Sequence, residues 1–396
     1  MKILYKIRSV CLLLVFLWIT PLSTLYAEEI KTGNSPVDTL SAENPIRRSF
    51  AKRFIAYFSD ANKVSNKKFN FSVIGGPFYS SDTKFGLGLA GTGLYSMDRR
   101  DTLLQPSNVS LYGSISTVGF FLLGVQGNNL FPHDRHRLNY NAYFYSFPSY
   151  YWGTGYENAS NDDNQSHYEQ FKVQFKIDFM TRVAHNFYIG PIVQFDHFDA
   201  RKAKRPELWE GRPMRTINFG VGFSIIYDSR DYITNAYRGY YLRIDQTFNP
   251  SFLGNKNTFI TTQFTTSYYQ PVWKGGVLAA QLHGWFNFGK PSWGLMATLG
   301  SSDAMRGYYE GRYRDKCAMD TQLELRQRVW RRIGVAGWVG AGTVFPDFKH
   351  FDTRNILPNY GVGLRWEFKK RVNIRLDMGF GKSGQRGFIF NINEAF

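Results

Sequence analysis

Residues 299–328, LGSSDAMRGYYEGRYRDKCAMDTQLELRQR, join a Gly-, Arg- and Tyr-rich segment, too polar for hydrocarbon, to a strand-like run that alternates cleanly. From Thr321 to Val329, the residues Thr321, Leu323, Leu325 and Val329 share one face, while Gln322, Glu324, Arg326 and Arg328 share the other. One face suits lipid and the other a wet interior. A loop carrying Arg306-Gly307-Tyr308 just before a wall strand with an inward Glu324 can fold back inside and be pinned by an arginine–carboxylate hydrogen bond. The competing reading is a basic loop in solvent, and the rest of the chain decides between them.

Composition favours strands. Aromatic residues make up 17% of the 396 residues, with 35 Phe and 25 Tyr beside 37 Gly, which is heavy for a soluble enzyme and suits short strands with aromatic girdles. Mean hydropathy is −0.34, which argues against helical membrane spans. The only long apolar run, Val10 to Ile19, is too short to span as a helix and follows Lys2, Lys6 and Arg8. It reads as a secretory signal, residues 1–27, cleaved after Ala27 in Thr24-Leu25-Tyr26-Ala27. Cys11 leaves with it, and Arg8 stands where a lipoprotein signal wants an aliphatic residue. Cys317 alone remains, so no internal disulfide forms.

The formal net charge of +17 falls to +14 without Lys2, Lys6 and Arg8. The basic residues are scattered and carry no zinc-finger, RNP-like or helix-turn-helix signature, so nucleic acid is not the expected partner. Anionic outer-membrane lipids and lipopolysaccharide suit this charge better.

From Glu28 to about Lys67 the chain is polar apart from one patch. Asn44 caps a short helix with Pro45 at its first position, and Ile46, Phe50, Phe54 and Tyr57/Phe58 recur at helical spacing among basic residues. From Phe69 onward, runs of alternating polarity are separated by turn-forming Gly, Asn, Asp and Pro. Phe171, Val173, Phe175, Ile177 and Phe179 oppose Lys172, Gln174, Lys176 and Asp178; Val372, Ile374, Leu376 and Met378 oppose Asn373, Arg375 and Asp377. A soluble sandwich gives the same period, but recurrent charge on the inner face favours a barrel.

The runs fall near 69–76, 84–96, 107–117, 119–130, 135–147, 166–181, 185–198, 214–228, 238–248, 257–271, 275–289, 319–330, 333–345, 358–369, 371–381 and 387–396. That is about sixteen, an even number as single-chain barrels require. The expected fold is therefore all-β, a transmembrane antiparallel β-barrel occupying residues 68–396, preceded by a leader at 28–67. If the first strand rises from the periplasm, the 290–318 connection is the sixth extracellular loop.

Met305-Arg306-Gly307-Tyr308 followed by Glu324-Leu325-Arg326 resembles the sixth loop and next strand of the BamA/TamA superfamily of outer-membrane barrels, the bacterial surface antigens. Further segments extend the resemblance: Trp152-Gly153-Thr154-Gly155, the turn Asp228-Ser229-Arg230-Asp231 with Gly239, Gly361-Val362-Gly363-Leu364-Arg365, and Arg375-Leu376-Asp377. The final run, with Phe388, Phe390, Ile392 and Phe396, resembles the C-terminal signal by which such barrels are handed to the assembly machinery. The resemblance implies that Arg306, with Gly307 and Tyr308, latches the loop to Glu324, among inner-wall charges Arg326, Arg365, Arg375 and Asp377. It also implies that Asp228, Arg230 and Asp231 form a short periplasmic turn. Relatives usually carry periplasmic POTRA domains ahead of the barrel, and residues 28–67 are too few for one, so a POTRA-less member is expected. One position departs from the pattern: in Trp338-Val339-Gly340-Ala341-Gly342, Gly340 stands where the family places an inward aspartate, leaving Glu324 as the obvious partner for Arg306.

Chemistry is not signalled. There is no Gly-x-Ser-x-Gly elbow, no His-Glu-x-x-His helix and no histidine paired with Cys317. His133, Asp134 and His136 read as a polar turn rather than a metal site, and Ser166-His167 near Asp162 and Asp163 as a solvated loop. No catalytic residue, cofactor or metal is expected. The resemblance implies a role in inserting, assembling or exporting other outer-membrane proteins; the alternatives are a passive pore or scaffold, and a barrel-embedded lipid-modifying enzyme.

Overall fold

The computed structural model describes residues 69–80, 84–97, 104, 106–369 and 371–396; the expected signal peptide and the expected leader helix fall outside the described residues. The strands are β1 (Phe69–Ser80), β2 (Lys84–Tyr95), β3 (Ser107–Ser116), β4 (Phe121–Leu130), β5 (His136–Tyr151), β6 (Ser166–Ala184), β7 (Phe187–Arg201), β8 (Arg215–Asp228) and β9 (Gly239–Asn249). There follow β10 (Phe259–Trp273), β11 (Gly276–Gly289), the short β12 (Ala297–Thr298) and β13 (Arg314–Asp315), then β14 (Cys317–Trp330), β15 (Ile333–Phe345), β16 (Leu357–Lys369), β17 (Val372–Gly381) and β18 (Arg386–Ile392). All but β12 and β13 join one 16-stranded antiparallel sheet in chain order, which is the wall that the alternation predicts. One short helix, α1 (Tyr156–Ser160), follows β5.

The connections are asymmetric. At one end the turns at 185–186, 274–275 and 331–332 are minimal; at the other the loops 152–165, 202–214 and 290–316 are long. The turn at 229–238 is an exception at the short-turn end, longer than the sequence suggests. The final run also departs from expectation. Its strand stops at Ile392, where Asn393 adopts φ +73° and sends residues 394–396 away from the wall. The reason is electrostatic: the Glu394 carboxylate is drawn to Arg365 at 2.8 Å and to the Asn373 amide at 2.5 Å.

Burial is inverted relative to a soluble domain. On β16 the outward Tyr360, Val362 and Leu364 are 54%, 63% and 54% exposed, while the inward Arg365 is 4% exposed. Leu323, Val339, Phe388 and Phe390 continue the apolar exterior on neighbouring strands. Contiguous exposed apolar surface of this extent has no place in water, and the paired strands satisfy their backbone groups in hydrocarbon. Near the short-turn end the outward face carries Tyr240, Trp273, Trp330 and Trp366, and near the long-loop end Phe252, Phe348 and Phe351 lie exposed, as two interfacial girdles would.

The sheet curls until its inner face meets itself. Lys176 on β6 pairs with Asp245 on β9 at 2.9 Å, and Arg137 on β5 with Asp228 at the end of β8 at 2.9 Å. Lys382, beyond β17, donates to the Tyr156 hydroxyl of α1 at 2.8 Å. Because inward and outward positions alternate, Val362→Arg should destabilise the folded barrel in lipid by about 2–4 kcal/mol. The same residue at the lumenal Asn141 should change stability by no more than about 0.5 kcal/mol. Urea titration in vesicles distinguishes the two, and equal costs would contradict the assigned faces.

Candidate functional site

The 290–316 loop folds into the barrel as a unit. Its base is the β12–β13 ladder, in which Ala297 pairs with Asp315 and Thr298 with Arg314. Inside, Leu299, Met305, Tyr308 and Tyr313 form a small apolar core with Ala159 of α1 and with Ala318, Val344 and Leu357 of the wall. The loop is also tied to β5 and α1: the Tyr150 N–H donates to the Tyr309 hydroxyl at 3.1 Å, and Arg312 donates to the Ala159 carbonyl at 2.8 Å. Gly153 and Gly155 hold φ of +90° and +93°, conformations that let the chain after β5 turn towards Arg314, whose carbonyl accepts the Gly155 N–H.

Arg306 sits at the tip and is fully buried. Its Nη2 lies 2.6 Å from Glu324 Oε2 on β14, and its Nη1 lies 2.9 Å from Asp377 Oδ2 on β17. Nη2 also donates to Gln322 Oε1 at 3.2 Å, and the guanidinium lies 3.6 Å over the Trp338 ring. The indole is held by its N–H, which donates to Asn359 at 3.0 Å; the Asn359 amide in turn donates to the Arg306 carbonyl. Gly307 has φ +110°, and a Cβ there would lie 2.5 Å from the Gly379 carbonyl carbon, so the loop tip rests backbone against backbone on β17. The Tyr308 hydroxyl donates to the Pro358 carbonyl at 2.6 Å and accepts from the Lys382 N–H at 2.8 Å.

Glu324 is therefore not the sole wall partner of Arg306. Asp377 supplies a second carboxylate from another strand, while Gly340, the departure from the family pattern, faces inward opposite Gln322. Gly342 leaves space that Met305 fills; a Cβ at that position would lie 3.0 Å from its sulfur. Gly361 accommodates the Trp338 ring and Gly363 the Asp377 carboxylate, a physical reason for the Gly-x-Gly spacing on β16.

The latch belongs to a larger lattice. Arg365 bonds Asp377, approaches Glu324 at 3.6 Å and pairs with Glu394. Arg326 pairs with Glu324 at 2.7 Å and donates to the Phe396 carbonyl at 2.8 Å, with the Phe396 ring 5.0 Å beneath its guanidinium. Arg375 pairs with Asp377 and with Asp303 of the loop. Of the proposed assembly-signal residues, Phe388 and Phe390 point outward, Ile392 is the last residue of β18, and Phe396 packs inward against Tyr269. Sequence reading missed Asp377 as a latch partner, and missed Trp338, Asn359 and Glu394 altogether. Alternation on its strand places Asp377 inward, as expected, but carries no signal that Arg306 reaches it.

The turn motif forms a separate group at the short-turn end. Asp228 accepts from Arg230 and Arg137, and Asp231 accepts from the Tyr237 N–H and pairs with Arg371. Nearby, Asp134 is engaged by Arg137 and Tyr188, and His136 stacks on Phe179, which commits the polar turn to structure. The Ser166 hydroxyl accepts the Arg205 N–H, and His167 packs edge-on to Tyr150, so the two do not form a nucleophile–base pair.

Arg306→Ala removes one buried guanidinium while Arg326, Arg365 and Arg375 still face the acids. It should lower unfolding stability by about 3 kcal/mol, read from heat-modifiable gel mobility and urea titration. Because Arg365 joins Glu394 to Asp377, combining Arg306→Ala with Glu394→Gln should be non-additive by about 1 kcal/mol. Strict additivity would show that loop and tail are held independently.

No curated protein matches the chain. Solved structures do: BamA from Haemophilus ducreyi lacking POTRA domains 1–3 aligns with a TM-score of 0.52 at 14% identity, over 81% of this chain and 69% of that one. CdiB from Acinetobacter baumannii aligns at 0.50 and 10% identity, and CdiB from Escherichia coli at 0.54 and 10%. Each alignment covers 83% of this chain, which spans only 60% and 63% of those two proteins. An Omp85 superfamily domain matches residues 126–396. With a sixteen-strand wall, an apolar exterior and an arginine-tipped loop inside, the chain belongs to the Omp85 superfamily of outer-membrane barrels.

Proposed function

We propose that this barrel assists the insertion, assembly or export of other outer-membrane or surface proteins by local opening of the seam between its first and last strands. The observation that carries the reading is a mismatch in strand length. β1 has 12 residues and β18 only 7, so the last strand cannot pair with the whole of the first. Unmatched backbone donors and acceptors at a sheet edge are a template to which an incoming strand adds. Membrane beside a short strand is thinned, which lowers the barrier to a client entering from the periplasmic side.

The partners implied are client barrels, the machinery that inserts this chain, and the surrounding lipids and lipopolysaccharide. A passive pore fits less well, since the loop with Arg306 and the tail with Phe396 both occupy the bore. In vesicles, the full chain should accelerate folding of an unfolded client barrel by about tenfold, equivalent to 1.4 kcal/mol of barrier. Arg306→Ala should remove most of that gain while the barrel stays inserted. Solute leakage without client folding would favour the pore, lipid turnover would favour an enzyme, and either would overturn the proposal.

A further inference from the structure

At the long-loop mouth lies a cavity of about 830 Å³, bounded by the loops after β5, β7, β9, β11 and β15. This is within the range of small-molecule sites, roughly 300–1,000 Å³. Its charge is unlike that of the rest of the barrel. In the latch lattice each guanidinium has a carboxylate within 3.1 Å. The cavity instead gathers Arg212, Arg215, Lys256, Lys290 and Lys316 against Glu210 and Asp315 alone.

The two acids are already engaged. Glu210 pairs with Arg212 at 3.1 Å, and Asp315 accepts the Lys316 N–H at 2.7 Å. Burial pushes the Asp315 carboxyl up from its ordinary range, against the pull of that N–H and of Lys316 and Arg212, which reduces the countercharge it offers. Arg215, Lys256, Lys290 and Lys316 thus face the cavity with no ion pair among the described residues. The wall also holds two polar side chains more than nine-tenths buried, Thr216 and Asn218, whose Oγ1 and Nδ2 have no hydrogen-bond partner among the described residues. Like charges gathered round unpartnered donors disfavour the empty arrangement, and a ligand with both anionic and hydroxyl groups relieves both defects.

We propose that this cavity binds a phosphorylated sugar. Lysine and arginine are donors only and suit phosphate oxygens, while Thr216, Asn218 and Asn257 exchange hydrogen bonds with hydroxyls. A nucleic acid needs exposed aromatic faces for its bases. The aromatic residues at this wall, Phe259 and Trp293, are 2% and 1% exposed, and the Trp293 ring is packed by Tyr151, Tyr168, Phe198 and Trp209. Such a sugar reaches the mouth as the headgroup of an outer-leaflet lipid or as a free glycan. The site stands apart from the seam, so it is independent of the assembly reading.

Calorimetry on the full chain in detergent tests it, with a bisphosphorylated glucosamine disaccharide as probe. One probe should bind per chain, and the Lys256→Glu/Lys290→Glu double variant should weaken binding at least about tenfold, equivalent to 1.4 kcal/mol. Lys204→Glu, an exposed change in the same loop system outside the cavity, should leave affinity unchanged. Tighter binding to vesicles displaying the same headgroup would assign the leaflet lipid as the source, and equal binding the free glycan. Unaltered affinity in the double variant, equal binding of inorganic phosphate, or tighter binding of hexaglutamate would each overturn the proposal. Gel mobility of the double variant confirms that the barrel is folded, and client folding at the wild-type rate separates this site from the seam.

Discussion

A charge taken out of water must be met by another, and Arg306 at 0% exposure is such a charge, as are Glu324, Arg375 and Asp377 beside it. Four arginines, 306, 326, 365 and 375, share the carboxylates of Glu324, Asp377, Glu394 and Asp303. Sharing is widest at the centre, where Glu324 and Asp377 each face three guanidinium groups, while Asp303 pairs with Arg375. Sharing of this kind makes the arrangement collective. The loop can lie inside only if the wall presents its acids at this depth, and those acids are tolerated there only because arginines from loop and wall reach them.

Much of the wall was legible because a strand in a membrane barrel obeys a two-residue period enforced from both sides, lipid without and water within. The runs read at 333–345 and 371–381 match β15 and β17 to within a residue for that reason. Residues 387–396 were misread at their end because alternation continues through Asn391-Ile392-Asn393 in the sequence, and nothing local announces that Glu394 has a stronger call from Arg365. Partnership across the bore was equally hidden. Parity places Asp377 inward, but which loop residue reaches it depends on the register of β14 through β17, a property of the closed assembly.

The surroundings of Gly340 show how the Arg306 guanidinium is held without a carboxylate acceptor on β15. With no acid on β15, the second carboxylate comes from β17, two strands further round the wall. Trp338 of β15 then covers the guanidinium with its ring, in place of a charge with a quadrupole, and Gly361 on β16 makes room for that ring. Trp338, Gly361 and Asp377 thus lie on three adjacent strands and together seat one guanidinium.

An anchor on β17 also sets what the latch touches. β17 is the strand to which β18 pairs, with Asp377 directly opposite Ile389. The loop tip lies against Gly379 and close to Gly387 of β18, so the backbone of the latch touches the last two strands of the wall. The tail that leaves β18 returns to Arg365 and Arg326 of the same lattice. A displacement of β18 away from the wall therefore strains Glu394 against Arg365 and, through Asp377, the seat of Arg306. The loop inside the barrel and the last strand are in this way parts of one electrostatic unit, joined through Asp377, Arg365 and Glu394.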